Sequence, residues 1–222
     1  DIAAAVYRKN TYDFDKCIYV TSAGQSLHFA QWFKVMELMG YEWANRLVHV
    51  PYGTVSIDGA KLATRTGNVV LLKDLFATAI EKVRAIMQEK NPDLPNIDEA
   101  AEAVGVGAVI FYYLSNNRLK DINFVMEEAL SFDGNTGPYV QYTHARAASV
   151  LRRAGDDVVA KAAAGIDASY ITSDSAYELA KAIYEFPAVI VDAGDKYEPS
   201  VVTRHIVDVA QAFNKFYHDE HV

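Results

Sequence analysis

A cationic stretch in the middle of the chain is the first feature that could do chemistry. Lys61, Arg65 and Lys73 lie within thirteen residues that contain no acid, although the chain as a whole carries a net charge of −8. Small and hydroxylated residues between them allow the backbone to approach a ligand closely. Mobile cations beside exposed N–H groups suit a polyphosphate whose charge redistributes in a transition state. The alternative is a solvated basic loop, because short basic runs are common.

A second basic strip is centred near residue 150. Arg146 and Arg153 are seven residues apart, so they share one face of a predicted helix, and no acid lies between them. Such a strip can pair with phosphates, and Tyr142 could stack on an unpaired RNA base. The alternatives are a solvated helix face and, for Tyr142, Tyr139 and Phe132, a role as core aromatics.

The first 60 residues predict a strand–helix–strand unit. Short buried strands are expected at 16–20 and 47–50, on either side of an amphipathic helix over 25–39 that Gly40 ends. This order with short links is typical of part of a parallel sheet, and a hairpin around Asp58-Gly59 should follow. A parallel sheet needs further strands and covered faces, so we expect the sheet to be incomplete within this chain.

From Asp74 onward the pattern is almost entirely helical. Asp74 and Asp98 are expected to cap two successive helices. In the second helix Gly105 and Gly107 each cost about 1 kcal/mol of helix propensity relative to Ala, which indicates a close helix crossing. Further helices are predicted over 135–154, 175–185 and 199–217, with 155–173 as the best linker candidate.

Composition limits the class of protein. A hydrophobic content of 51% in 222 residues is enough for packed cores and argues against disorder. The single cysteine, Cys17, excludes an internal disulfide and a Cys-based metal site, and it suits the cytoplasm. The longest apolar run, 104–114, is shorter than the roughly 18 residues of a membrane span. Because the chain begins at Asp1 without Met or a signal peptide, we expect it to be a piece of a longer protein.

Three blocks, in order, resemble the arginyl-tRNA synthetases, a family of class I aminoacyl-tRNA synthetases. Residues 1–29 are similar to the second half of the family's catalytic domain, and 49–70 resemble its KMSKS-loop region. Residues 131–146, with Gly-Asn-Thr-Gly-Pro-Tyr, resemble the start of its anticodon-binding domain and are the most specific block. The resemblance implies an α/β plus all-α fold: the C-terminal half of a Rossmann-like parallel-sheet catalytic domain, followed by a helical anticodon-binding domain.

The resemblance also implies domain boundaries and a reaction. The catalytic half with the KMSKS-like loop would span 1–72, a connecting helical region 73–134, and the anticodon-binding domain 135–222, truncated at its C-terminus. The parent protein would form arginyl-adenylate from arginine and ATP, with Mg²⁺ and without an organic cofactor, and would then transfer the arginyl group to tRNA(Arg). We expect a cytoplasmic monomer with no membrane association and no protein-bound metal.

Site residues follow from the same resemblance. Asp1 falls where the family has a carboxylate facing the substrate guanidinium, which prefers a bidentate carboxylate, and Gln25 falls on an arginine-binding glutamine. The implied ATP-binding positions are His28, Gly53, Val55 and Lys61. The implied tRNA-binding positions are Tyr142, Arg146 and Arg153. From the residues alone, Asp1 could be a frayed chain end, Gln25 a residue near a helix N-terminus, and His28 a packed or surface histidine.

The cationic stretch departs from the family's motif. Lys61 matches the first KMSKS lysine and would contact ATP phosphates, but Thr64 replaces the second lysine, so that Arg65 or a residue outside the chain must supply that charge. The six histidines form no HIGH-type motif, and we therefore expect the chain alone to be inactive. Two alternatives stay open: a non-catalytic tRNA-binding or interaction module derived from such a synthetase, and an unrelated helical nucleotide-binding protein.

Overall fold

The structure is a computed structural model that describes residues 1–57, 59–61 and 70–220. Within these residues the chain divides into two compact units, one formed by 1–56 and 118–122 and the other by 57–117 and 123–220. The helices are α1 (Ile2–Tyr12), α2 (Ser26–Leu38), α3 (Leu72–Lys90), α4 (Ile97–Leu114), α5 (Met126–Ala129), α6 (Gly137–Ala154), α7 (Asp156–Ala164), α8 (Asp174–Lys196) and α9 (Pro199–Asp219). The strands are β1 (Cys17–Ser22), β2 (Leu47–Tyr52), β3 (Val55–Ile57), β4 (Ala60–Lys61) and β5 (Ile122–Phe124).

The first unit contains the predicted strand–helix–strand arrangement. β1 and β2 pair in parallel, with Cys17 opposite Leu47 and Ser22 opposite Tyr52. The connecting helix α2 ends just before Gly40, whose φ of +85° is readily adopted only by glycine. The sequence prediction of a βαβ unit is therefore confirmed.

One face of this parallel pair is packed and the other is not. Residues three and four apart on α2 are buried, as expected for the inner stripe of an amphipathic helix, namely Phe29, Trp32 and Met36. The Tyr19 ring of β1 lies 5.2 Å from the Trp32 ring. Ile18 and Val20, which alternate with Tyr19 and so point to the opposite face, are 46% and 63% exposed.

The three short strands form a second sheet in the order β4-β3-β5. The predicted hairpin corresponds to neighbouring strands β3 and β4, and Gly59 between them has a φ of +77°. Asp58, the other residue of the predicted turn, lies outside the described residues.

The second unit confirms the predicted close helix crossing. A Cβ atom added to Gly105 of α4 would lie 2.9 Å from the Cα of Ile80 on α3, and one added to Gly107 would lie 2.6 Å from Nε2 of Gln141 on α6. Gly137 at the start of α6 approaches the Ala108 backbone of α4 in the same way, at 3.0 Å. Glycines therefore mark the places where α3 and α6 pack against α4.

Both predicted aspartate caps are wrong. The N-cap of α3 is Leu71, and that of α4 is Asn96, which has a φ of 61°. Asp74 and Asp98 lie in the first turns instead. A carboxylate in the first turn still interacts favourably with the positive end of the helix dipole, so both residues favour a helix start without capping it.

The region from 155 onward is more helical than its sequence suggests. The segment 155–173, predicted as a linker, contains α7 and a 3-10 turn at Ala168–Tyr170. α8 continues to Lys196 through Pro187, although an internal proline removes one backbone hydrogen bond. α9 packs beside this stretch: His205 Nε2 lies 2.9 Å from the Ala182 carbonyl, and its ring stacks on Phe186.

Candidate functional site

The carboxyl ends of β1 and β2 lie at the same edge of the parallel pair, the edge where open α/β sheets bind ligands. β1 is followed by a 3-10 turn, Ala23–Gln25, in which Ser22 Oγ accepts the Gly24 N–H at 3.3 Å. Gln25 is exposed and is the N-cap of α2. Both readings of Gln25, a ligand-binding amide and a residue at a helix N-terminus, are compatible with this position.

Asp1 and His28 meet at this site. The Asp1 Oδ2 atom lies 2.7 Å from His28 Nε2, and each side chain is about half exposed (53% and 54%). Asp1 occupies the N-cap of α1 but makes no capping hydrogen bond with its side chain, so the carboxylate is oriented by His28 instead. A guanidinium that used both carboxylate oxygens would have to compete with His28 for Oδ2.

The turn after β2 is held by a segment distant in sequence. Gly53 N–H donates to the Arg118 carbonyl at 2.7 Å, and Arg118 Nη1 donates to the Pro51 carbonyl at 2.7 Å. Thr54 donates both its N–H and its hydroxyl to Asp121 Oδ1, each at 2.7 Å. A Cβ on Gly53 would lie 2.5 Å from the Lys120 carbonyl carbon and closer still to its oxygen. The close approach of Lys120 thus accounts for a glycine at position 53 without any bound nucleotide.

A histidine that the sequence left without a role belongs to the same unit. His49 Nε2 lies 2.9 Å from Thr21 Oγ1, and the imidazole stacks on Phe29 with ring centroids 4.2 Å apart. Burial, and then the nearby Arg118 charge, lower the pKa of His49 below its usual 6.5. His49 is therefore a neutral hydrogen-bonding group near pH 7. Its position as the third residue of the strand predicted at 47–50 was the only signal available in the sequence.

The predicted phosphate-binding cations are described only in part. Arg65 lies outside the described residues, as do 62–69 as a whole. The backbone of Lys61 belongs to β4, and Lys73 is exposed in the first turn of α3. The role of Lys61 and Arg65 toward phosphates stays a prediction.

The tRNA-binding candidates come together in the second unit. Tyr142, Arg146 and Arg153 line one pocket of about 270 Å³, to which α9 adds Tyr217. The Arg146 Cζ atom lies 5.0 Å from the Tyr142 ring centroid and 5.1 Å from that of Tyr217, so the cation is held between two aromatic rings. Tyr142 is 56% exposed, and the alternative that it is a core aromatic is wrong.

The residue that joins the two walls of this pocket is Asn214, which sequence reasoning missed. It accepts a hydrogen bond from Arg146 Nη1 at 2.6 Å and donates to the Tyr139 hydroxyl at 3.0 Å and to Thr143 Oγ1 at 2.9 Å. Asn214 lies 68 residues after Arg146, so no local spacing could have connected them.

Within the described ranges, no cluster of three or more His, Cys, Asp or Glu side chains could hold a metal ion. A search of the same residues finds no helix with the length and hydropathy of a membrane span.

Comparison with known proteins identifies the family of this chain. The sequence profile described as the catalytic domain of class I tRNA synthetases (R) matches residues 1–126, more than half of the chain. This chain belongs to the class I arginyl-tRNA synthetase family. The profile of the DALR anticodon binding domain matches residues 140–222.

Relatives of this synthetase chain agree along its whole length. It is 54% identical over 219 residues to the arginine–tRNA ligase of Alkaliphilus metalliredigens and 53% identical over 219 residues to that of Clostridioides difficile. Each comparison covers 99% of this chain and 38% of the relative, so the chain spans less than two fifths of their length.

Solved structures have the same fold. The arginyl-tRNA synthetase of Thermus thermophilus aligns with a TM-score of 0.80 at 33% identity, covering 91% of this chain and 33% of that one. The enzyme of Plasmodium falciparum also aligns with a TM-score of 0.80, at 24% identity, covering 100% and 38%. These comparisons confirm the family resemblance and the fold class, a class I catalytic portion followed by a helical anticodon-binding domain.

Proposed function

We propose that this chain is part of an arginine–tRNA ligase that activates arginine with ATP and transfers it to tRNA(Arg). The observation that carries the proposal is identity of 54% to such a ligase over 99% of the chain. The succession of a catalytic-domain match and an anticodon-domain match supports it further. The protein acts in the cytoplasm as a monomer.

In this proposal the first unit contributes to the arginine and ATP sites. Asp1 and Gln25 bind the substrate guanidinium, and His28, through its contact with Asp1, links that site to the nucleotide. The backbone at Gly53 and Val55 lies along the adenine. The Gly53 N–H is already donated to Arg118, so the contribution of Gly53 is shape: it permits the close approach of Lys120.

Lys61 and Arg65 bind the triphosphate and stabilise charge on it as pyrophosphate departs. Mg²⁺ enters with ATP. Such a metal is held mainly by the substrate phosphates, as is usual for Mg²⁺.

Adenylation by the 222 residues alone is not expected. They contain no HIGH-type motif, and one face of the parallel pair exposes Ile18 and Val20, whereas parallel sheets are normally covered on both faces. The test is ATP–pyrophosphate exchange with arginine and tRNA(Arg). Turnover is expected from the longer parent protein and not from this chain. A parent that binds tRNA yet never exchanges pyrophosphate would support the alternative of a non-catalytic module.

The second unit binds tRNA through the pocket of Tyr142, Arg146 and Arg153. The matching experiment measures binding of a fluorescent tRNA(Arg) transcript over a range of salt concentrations. Arg146→Gln and Arg153→Gln should each weaken binding and lower the slope of log affinity against log salt by about one, because each removes one phosphate contact. Arg152→Gln removes the same charge from an exposed neighbour outside the pocket and is the control. Equal effects from all three variants would contradict a defined site.

A further inference from the structure

Asn214 makes three side-chain hydrogen bonds beside the proposed tRNA pocket. A side-chain amide has one acceptor oxygen and two N–H donors. Asn214 uses its Oδ1 to accept from Arg146 and its Nδ2 to donate to Tyr139 and Thr143, with all three distances between 2.6 and 3.0 Å. The side chain is half-buried.

These contacts fix which way the amide points. If the amide turned by 180°, its NH₂ group would face the Arg146 guanidinium, which has only donors. The Tyr139 hydroxyl can donate or accept, but the Thr143 hydroxyl already donates its proton to the Tyr139 carbonyl at 3.0 Å and can only accept from Asn214. Arg146 and Thr143 therefore both select the orientation observed. The orientation of Asn214 and the position of the Arg146 head group therefore depend on each other.

Spacing on the two helices explains the geometry. Tyr139, Thr143 and Arg146 lie four and three residues apart, so they share one face of α6. Asn214 and Tyr217 lie three residues apart on α9, so that helix presents its amide and its ring together. The guanidinium is thus held between two tyrosine rings and against one amide oxygen. The bond to Asn214 uses only one of its five N–H donors.

We propose that Asn214 is a positioning residue for tRNA binding: it holds the Arg146 guanidinium in place between Tyr142 and Tyr217 before a phosphate arrives. A free arginine side chain loses much rotamer freedom when it is immobilised on a ligand. Because Asn214 already holds Arg146 in the free protein, this entropy is lost on folding and not on RNA binding. This inference rests on the proposed tRNA-binding function, and its two consequences, order in the free protein and affinity for RNA, are measured separately.

The first measurement needs no RNA. ¹⁵N relaxation of the arginine side-chain Nε–H groups in the free chain should show Arg146 ordered, with an order parameter of about 0.8, and exposed Arg153 mobile, below about 0.6. Asn214→Ala should make Arg146 as mobile as Arg153. The control Gln211→Ala removes an exposed amide of the same helix, bonded to Asn135 at 3.3 Å, and should leave Arg146 ordered. An Arg146 that stays ordered in Asn214→Ala, or is mobile in the unaltered chain, overturns the proposal.

The second measurement is a double-mutant cycle on affinity for the tRNA(Arg) transcript. Asn214→Ala should weaken binding about three- to tenfold, the cost of immobilising one rotamer-rich side chain on binding. In an Arg146→Gln background it should have less than a twofold effect. Losses that multiply would overturn the proposal, because Asn214 would then act independently of Arg146. If the unaltered chain does not bind the transcript, the proposed function fails, and the order of Arg146 alone decides whether Asn214 positions it.

Asn214→Asp separates position from charge. The isosteric carboxylate still accepts from Arg146, and the Tyr139 hydroxyl can rotate to donate to its other oxygen. Arg146 should therefore stay ordered while affinity falls as in Arg146→Gln, because the added negative charge cancels the attraction to phosphate. Unchanged affinity in this variant would overturn the proposal.

Discussion

The close packing at Gly53 leads to a quantitative prediction for Gly53→Ala. The added methyl group would be 2.5 Å from the Lys120 carbonyl carbon and 2.9 Å from the Asp121 nitrogen, and both are backbone atoms that cannot rotate away. Overpacking of this kind costs about 1–3 kcal/mol. Displacement of the 118–121 segment also weakens the bond from Gly53 N–H to the Arg118 carbonyl, which is worth about 1 kcal/mol. We expect the free energy of unfolding of the first unit to fall by about 3 kcal/mol.

Tryptophan fluorescence during urea denaturation reports this loss directly, because both tryptophans of the chain, Trp32 and Trp43, belong to the first unit. Gly24→Ala is the matched control: a Cβ there meets nothing closer than Ser22 Oγ at 3.7 Å, so its effect should stay within about 0.5 kcal/mol. A Gly53→Ala protein as stable as Gly24→Ala would refute the reasoning. Gly53 would then be explained by its ligand rather than by its neighbours.

Three further perturbations test the fold and its pH dependence. Gly105→Ala should lower the free energy of unfolding of the second unit by about 2 kcal/mol or more, because its Cβ would press on the α3 backbone; circular dichroism during urea denaturation measures the loss. Gly194→Ala is the control, since a Cβ there has nothing within 4 Å and should not lower stability. Equal stability of the two variants would contradict the close packing of α4 on α3. Thr136→Ala should cost about 1 kcal/mol because it removes the N-cap of α6, whereas Thr136→Ser should not. Burial and Arg118 lower the pKa of His49 below 6.5, so the unfolded chain binds that proton more readily. Its contribution to stability is intact above pH 6.5 and is lost as pH falls below that value; His49→Gln should flatten the dependence of the urea midpoint on pH between 7 and 5, and an unchanged slope would contradict the assignment.

Local patterns predicted the parts of the fold whose contacts are local. Short apolar runs located β1 and β2, apolar residues at helical spacing located α2, and the short links between them predicted the parallel pairing that the structure has. Gly105 and Gly107 were interpretable because a glycine in a helix loses propensity and needs a compensating contact, and α3 and α6 supply it. The N-caps of α3 and α4 were not predicted, because Leu71 and Asn96 make no capping hydrogen bond with their side chains and so give no capping signal of the usual kind.

Long-range contacts account for what the sequence could not indicate in the first unit. Arg118 and Asp121 hold the turn after β2 from 65 or more residues away, and no periodicity relates them to Gly53. The functional interpretation of that glycine came from family resemblance alone. The structure adds a competing reason for the same residue, and the stability measurement above weighs the two.

The residues that α6 contributes to the tRNA pocket could be predicted from the sequence, whereas those of α9 could not. Tyr142, Arg146 and Arg153 share a face of α6 through the helical repeat, so charge and spacing were enough to group them. The α9 contribution depends on which face of α9 packs against α6, and no spacing within α6 indicates that face. Asn214 and Tyr217 are carried to Arg146 by this packing. A polar network placed in this way is sensitive to small shifts of either helix, and for that reason the order of the Arg146 side chain, rather than the presence of its charge, is the property that best tests the site.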